Sequence, residues 1–341
     1  MQVNGRLAIL LLWGVVSLRR ENMLDRTQES IMKNWNRVGP PLVSIACTTF
    51  NHEKFIAETI ESFLMQCTNF PFEIIIHDDA STDSTKEIIK SYMERYPDII
   101  KPIFQTVNQS SQRKSCFSIV ISHGRGKYIA LCEGDDFWAD PEKLQLQVDY
   151  LEAHPECVVC YHDAMIVNDE GKLIKASKMP ANFKRDCTDW ELASGFFIST
   201  LTMVFRNVIK EFPYEMSNCK YGDIFLTSLL GGYGKGKYLG NIKPGVYRVH
   251  HGSICSTASP QNFNIYFFTS HYWISEYYRR IGNIKLSRVY GRSMVRCLLN
   301  NMIRPYMGLK DMILILLPPW LARRACKVYD VLCGRYFGRR L

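Results

Sequence analysis

Adjacent carboxylates at the end of an apolar run are the residues of this chain most suited to chemistry. Glu133-Gly134-Asp135-Asp136 follows the strand-like run Lys127-Tyr-Ile-Ala-Leu-Cys132 and precedes Phe137-Trp138 and a helix opened by Asp140-Pro141. Neighbouring carboxylates beside a buried strand are costly unless a cation sits against them. A divalent metal is one such partner. Held by only one or two carboxylates, it fills its remaining positions with oxygens such as those of a phosphate. The stretch alone fits a nucleotide-diphosphate site, and it equally fits a solvated turn with a helix cap.

The elements that would position these acids follow a repeating pattern. Leu42–Cys47 is an apolar run of strand length, as a buried parallel strand requires, and Thr48-Thr49-Phe50-Asn51-His52 is the polar turn at its end. A helix with Ile56, Ile60, Phe63 and Leu64 on one face follows. Phe72–His77 is a second strand and Asp78-Asp79-Ala80-Ser81-Thr82-Asp83 its terminal loop, with Ser81 or Asp83 placed to cap the next helix. A third strand is expected over Ile100–Val107, a helix near Phe117–His123, and the fourth strand over Lys127–Cys132. Leu144, Val148 and Leu151 then mark a helix. Strands alternating with helices imply an open, mostly parallel α/β sheet. Such sheets bind ligands at the carboxyl ends of their strands. The loops after strands one, two and four should therefore bring Thr48, Asp78-Asp79 and Asp135-Asp136 to one crevice.

Farther on, Val158–Val167 reads as a strand, as does Phe196–Phe205, whose Ser199, Thr200 and Thr202 would face a hydroxyl-rich ligand. Tyr221-Gly222-Asp223 opens a helix. Short strands are expected at Lys237–Leu239 and Ile242–Val249, ending in Tyr247-Arg248-Val249-His250-His251. Beyond residue 260 the pattern is helical. Asp311–Leu317 is an apolar run stopped by Pro318-Pro319, with Trp320 and basic residues after it.

Composition narrows the class. The chain has 341 residues, 47% apolar and 22% charged, which is ordinary for a globular protein with a sizeable core. The net charge of +9 is uneven: Ala322–Leu341 holds six Arg or Lys and one acid, a tail suited to an anionic membrane surface or another polyanion, or to a plain solvated end. Twelve cysteines in mostly apolar runs, with no clear export signal, point to a reducing compartment rather than a disulfide framework. Cys157-Val-Val-Cys160 has CxxC spacing but no second pair to complete a zinc set. Leu7–Val16 is too short to span a bilayer and reads as a leader. The basic residues are not interleaved with aromatics in a base-reading module, so nucleic acid is not an expected partner.

Three stretches in order carry a resemblance. Val43-Ser-Ile-Ala-Cys-Thr-Thr-Phe-Asn51, Glu73-Ile-Ile-Ile-His-Asp-Asp-Ala-Ser-Thr-Asp83 and Gly126-Lys-Tyr-Ile-Ala-Leu-Cys-Glu-Gly-Asp-Asp136, with a downstream acid and Tyr-Arg-x-His, resemble the family-2 glycosyltransferases, over about residues 41–256. The resemblance implies the GT-A fold, a Rossmann-like, mostly parallel open sheet flanked by helices, here with a helical C-terminal extension. The domains expected are a leader and lead-in helix over 1–39, the catalytic domain over 40–256 and a basic extension over 257–341. By the same resemblance Thr48 and the turn after it, including Asn51, border the nucleotide base. Asp79 accepts a hydrogen bond from the base edge, with Asp78 supporting its loop. Asp135 lies near ribose and metal, Asp136 is the direct ligand of Mg²⁺ or Mn²⁺, Asp223 is the general base, and His250 reaches the diphosphate or the metal. The sequence departs from the family in three places. Arg113 or Lys114 is the basic residue offered to the diphosphate, Ala80 replaces a usual Gly, and Gly222 replaces a usual acid before the base. Ala80 is tolerable there if its φ is negative.

The implied chemistry is direct. An acceptor hydroxyl needs a positioned base, and a nucleoside diphosphate leaves well only when its charge is neutralised. One base and one metal on opposite sides of the anomeric carbon give an inverting transfer from a nucleotide-diphosphate sugar. The acceptor would be a saccharide or a lipid-linked saccharide, in surface polysaccharide or glycolipid synthesis. The enzyme would be cytoplasmic, with its basic tail on the inner face of the cell membrane. Alternatives are a sugar-phosphate nucleotidyltransferase, whose Gly-rich basic signature after strand one is absent, and a non-catalytic nucleotide-sugar-binding relative. Asp223 also fits a plain helix cap.

Overall fold

The computed structural model describes residues 26–36, 39–252, 260–303 and Leu321. They divide into two compact units, one drawn from Met1–Phe212 and Asp223–Ser253, the other from Pro213–Gly222 and Ile254–Leu341. The expected leader Leu7–Val16 and the segment Asp311–Leu317 lie outside the described residues.

The first unit is built on a seven-stranded sheet in the order β3-β2-β1-β4-β8-β5-β9. Its strands are β1 Val43–Thr49, β2 Phe72–Asp78, β3 Ile100–Phe104, β4 Tyr128–Glu133, β5 Cys157–Tyr161, β8 Val204–Arg206 and β9 Lys235–Tyr238. Only β8 runs against its neighbours β4 and β5; the other pairings are parallel. Helices Ile56–Leu64, Thr85–Arg95, Cys116–Ser122 and Lys143–Ala153 flank it. The continuous apolar runs fold as central strands because both faces are covered: all seven β2 residues are buried. Helix Ile56–Leu64 buries Ile56, Ile60, Phe63 and Leu64, and Thr59 and Ser62 sit on its buried side as well.

A second sheet, β10-β6-β7, consists of β6 Ala164–Asn168, β7 Leu173–Lys175 and β10 Gly245–Val249. The expected single strand Val158–Val167 is therefore two strands in two sheets. The chain leaves the first sheet at His162-Asp163, where Asp163 Oδ1 accepts the N–H groups of Ala164 (2.8 Å) and Met179 (3.0 Å) and Oδ2 pairs with Lys184 Nζ (2.7 Å). The expected strand Phe196–Phe205 also differs. Thr200–Thr202 is a 3₁₀ turn, and only Val204–Arg206 pairs. Ser199, Thr200 and Thr202 are buried, and Thr202 Oγ1 donates to Ser199 O at 2.7 Å. They are part of the core rather than a ligand face. β3 stops at Phe104, short of Val107.

The second unit contains helices Pro260–Arg280 and Ile284–Ile303, in keeping with the expected helical C-terminal region. They are joined by rings and hydroxyls: Tyr278 stacks on Tyr290 with centroids 6.1 Å apart, and Ser275 Oγ donates to Ser287 O at 2.9 Å. Glu215 accepts Arg280 Nε at 2.6 Å within the same unit. No helix among the described residues is long and apolar enough to cross a membrane.

Candidate active site

The acidic stretch is positioned by three elements. β4 delivers Glu133 beside Thr48 of β1, and the Gly134 N–H donates to Thr48 O at 2.9 Å. Thr59 Oγ1, on the buried side of helix Ile56–Leu64, donates to Gly134 O (3.0 Å) and Asp136 O (2.7 Å). Phe137 then exchanges two backbone hydrogen bonds with Val246 of β10, at 3.1 and 2.8 Å. That bridge carries Arg248 and His250 to the acids. Gly134 is a position where a side chain does not fit: a Cβ there would lie 2.6 Å from Thr49 Oγ1 and 3.1 Å from His52 Nδ1.

Arg248 holds this junction together. Its N–H donates to Asp136 Oδ1 at 2.8 Å, and its guanidinium donates to Asp135 O at 2.8 Å and to Glu58 Oε2 at 2.6 Å. The guanidinium also packs over Phe55 and Phe137, 4.6 and 5.2 Å from the ring centroids. His250 Nε2 lies 3.0 Å from Asp135 Oδ2, and His52 Nε2 lies 3.8 Å from the same oxygen. His250 Nδ1 accepts the Gly252 N–H at 3.2 Å, so in this arrangement Nε2 carries the proton and donates to Asp135.

The structure thus brings His250 to Asp135 and not to Asp136. The expected metal pair is Asp136 and His250; the carboxylate that lies beside His250 is that of Asp135, while Asp136 accepts the Arg248 N–H. Asp136 turns inward, 1% exposed, onto the Arg248 amide, while Asp135 faces the histidines. Their electrostatics diverge accordingly. Burial and the charges of Asp135 and Glu133 push the Asp136 carboxyl well up. Burial also acts to raise Asp135, but the His250 hydrogen bond and the positive potential of both imidazoles outweigh it, and its pKa falls below the usual value. Glu133 rises to about 7, through burial and repulsion from Asp135 and, to a smaller degree, Asp223.

The other expected residues are placed as follows. Thr48 is half-buried near the end of β1. Asn51, at φ +55°, uses its Oδ1 to accept the Thr82 N–H at 2.8 Å, locking the first loop to the second. Asp78 accepts the Ser81 N–H and hydroxyl, which supports its own loop, and burial raises its pKa. Asp79 accepts the N–H groups of Gln109 (2.6 Å) and Ser110 (3.1 Å), so its carboxylate anchors the 108–114 segment. Arg113 and Lys114 are exposed. Ala80 adopts φ +62°, so the negative φ on which the Gly-to-Ala departure was acceptable is not what the backbone does.

Asp223 lies in the first turn of helix Gly222–Leu230, half-buried, with Oδ1 accepting the Ile224 N–H at 2.9 Å. Burial raises its pKa, while Lys178 acts to lower it. The same Lys178 acts on Glu133 and Asp136. It donates to Ser199 Oγ at 3.0 Å and lies 3.5 Å from the Tyr247 ring centroid. The sequence reading missed it, because it sits in an unpatterned polar stretch. His52 belongs to the turn expected to border the base and Arg248 to the Tyr-Arg-x-His stretch, and neither is expected beside Asp135.

His52, Asp135 and His250 offer three donor atoms within 4.8 Å of one another, a set of two imidazoles and a carboxylate that fits a divalent metal. His77, Asp79 and Cys116 form a second such group. Its Asp79 oxygens are committed to backbone amides and His77 Nε2 lies 3.2 Å from Gln105 Nε2.

Residues 44–212 match the profile of glycosyl transferase family 2. An uncharacterized protein of Mycobacterium tuberculosis is 42% identical over 165 residues, covering 48% of this chain and 46% of that protein. A Bacillus subtilis protein, TuaG, whose name provisionally assigns it as a teichuronic acid biosynthesis glycosyltransferase, is 30% identical over 120 residues, covering 35% of this chain and 44% of that one. The match to each of these two relatives spans about half or less of the relative's length. Staphylococcus aureus TarS, solved as residues 1–349 with UDP-GlcNAc, shares the fold with a TM-score of 0.52 at 21% identity, covering 68% of this chain and 66% of that one. The matched segment belongs to glycosyl transferase family 2, and the chain carries a glycosyltransferase domain of the GT-A fold.

Proposed function

We propose that this domain transfers a sugar, with inversion, from a nucleotide-diphosphate sugar to a hydroxyl of a saccharide or lipid-linked acceptor, in the assembly of a surface polysaccharide or glycolipid. The observation that carries the reading is the meeting of the β1 and β4 loops with the end of β10 around Asp135, the β1 loop being tied in turn to the β2 loop through Asn51. That is the strand-end crevice in which open α/β sheets take their ligands. TarS, of the same fold, is solved with UDP-GlcNAc, and TuaG is named for teichuronic acid biosynthesis; both support the substrate class.

Asp223 is the general base. The acceptor oxygen bonds to the anomeric carbon as the bond to the diphosphate oxygen breaks, and the hydroxyl proton passes to the Asp223 carboxylate. Burial raises its pKa above that of an ordinary aspartate, which makes the carboxylate a better proton acceptor. Asp135 and His250 would hold a divalent metal, Mg²⁺ or Mn²⁺. When bound, such an ion neutralises the charge that develops on the leaving diphosphate. Asp136 positions the β10 end rather than the ion. Asp79 and Asn51 hold the two loops that border the base. The basic C-terminal residues would bring the enzyme to an anionic membrane surface, on the cytoplasmic face where the acceptor is lipid-linked.

The test is a donor screen. The purified chain is incubated with Mn²⁺ and a panel of nucleotide sugars, and slow donor hydrolysis and thermal protection are followed. One donor should protect and be hydrolysed only with metal present. Absence of any response to every nucleotide diphosphate contradicts the reading.

A further inference from the structure

We propose that His52, in the loop after β1, is a third protein ligand of the metal, and that its imidazole makes the site prefer Mn²⁺ over Mg²⁺. The inference rests on the reading of a divalent metal at Asp135 and His250 and adds a residue to it.

Both imidazoles address one oxygen. His250 Nε2 is 3.0 Å from Asp135 Oδ2 and His52 Nε2 is 3.8 Å from it. The second distance is too long for a hydrogen bond. Donor atoms sharing one ion at about 2.1 Å lie roughly 3–4 Å apart, which is the spacing seen here. The three atoms all fall within 4.8 Å of one another.

The His52 ring is held in place. Its backbone N–H donates to Thr85 Oγ1 at 2.8 Å. The ring packs edge-on to His250 and to Phe55, with centroids 5.8 and 6.4 Å away. Its other nitrogen, Nδ1, is buried with no hydrogen-bond partner among the described residues. Gly134 leaves the space for it, since a Cβ there would come within 3.1 Å of Nδ1.

The donor set decides the ion. Mg²⁺ takes oxygen ligands and keeps its waters, whereas imidazole suits later divalent metals. Two nitrogens and one carboxylate therefore shift the preference from Mg²⁺ toward Mn²⁺. To offer Nε2 to an ion, His250 would carry its proton on Nδ1 and give up the Gly252 N–H. Metal uptake would then tie the first loop, the acidic stretch and the end of β10 to a single point.

The test counts nitrogens. Pulsed electron paramagnetic resonance on the full chain loaded with Mn²⁺ should resolve two imidazole couplings in the wild type and one in His52→Ala. Calorimetric titration should show His52→Ala weakening Mn²⁺ at least about tenfold while Mg²⁺ changes little. The metal-free melting temperature reports whether the variant still folds, and His52→Gln, closer in size, repeats the measurement if alanine does not. Two couplings retained in the variant, or equal losses for both ions, would overturn the role of His52 and leave a metal at Asp135 and His250 intact. No bound Mn²⁺ in the wild type would instead overturn the metal reading itself.

Discussion

Arg248 and Asp136 clasp each other across the junction of the two sheets: the Arg248 N–H donates to the Asp136 carboxylate at 2.8 Å, and the Arg248 guanidinium donates to the carbonyl of the preceding Asp135 at 2.8 Å. The guanidinium, 4% exposed, also pairs with Glu58. Arg248→Met should therefore cost about 2–4 kcal/mol, because a buried donor set vanishes and Glu58 loses its counter-charge. Chemical denaturation measures this. The same variant should weaken metal binding, since the register of His250 against Asp135 depends on the clasp. A loss of stability with unchanged metal affinity would show that the clasp does not position His250.

Ala80 sits at φ +62° in the loop after β2. A left-handed conformation costs an L-residue about 1–2 kcal/mol, and glycine adds about 0.4–1 kcal/mol of unfolded-state entropy. Ala80→Gly should thus stabilise by roughly 0.5–1 kcal/mol. The denaturation midpoint should rise with an unchanged slope. A fall in midpoint would mean the backbone there is unstrained.

His162 is buried, and burial pushes its pKa down to about 3. The unfolded chain, with an ordinary histidine, therefore takes up that proton first as the pH falls. Stability from the neutral ring is complete above about pH 6.5 and is lost as the pH drops toward the folded value. Between pH 7 and 4.5 this amounts to roughly 2–3 kcal/mol. His162→Leu should lose that much less over the same interval. Parallel pH curves for the two proteins would contradict the assignment.

Lys178 acts to lower the pKa values of Glu133, Asp136 and Asp223 together. Removing it in Lys178→Met should raise that of Asp223 further, and a base works only when deprotonated. The acid limb of the kcat/KM profile should move to higher pH, so the loss of activity is larger at pH 6 than at pH 8. Lys178→Arg should move it little. An unshifted limb would remove Lys178 from the electrostatics of the base.

Much of this was legible in the chain. β1, β2 and β4 are continuous apolar runs because parallel strands are buried on both faces, and each ends in polar residues that cannot continue inward. That pattern gave the sheet and the crevice. What the pattern does not carry is the facing of individual side chains. Asp135 and Asp136 are equivalent in a string, and only their partners in space, the Arg248 N–H for one and the two histidines for the other, tell them apart. His162-Asp163 continues an apolar run, yet the hydrogen bonds of Asp163 divert the chain into a second sheet. Lys178 belongs to no periodic element, and three distant acids alone make it notable.

The central claim is that Asp223 and the metal at Asp135 act on a nucleotide-sugar donor in separable ways. Titration of the donor selected by the screen, with Mn²⁺ present, into wild type, Asp135→Asn and Asp223→Asn measures this most directly when paired with a transfer assay. Asp223→Asn should bind the donor as wild type does and lose at least about a hundredfold in transfer, while Asp135→Asn should lose metal-dependent binding itself. Normal transfer by Asp223→Asn, or donor binding indifferent to Asp135→Asn, would contradict the account.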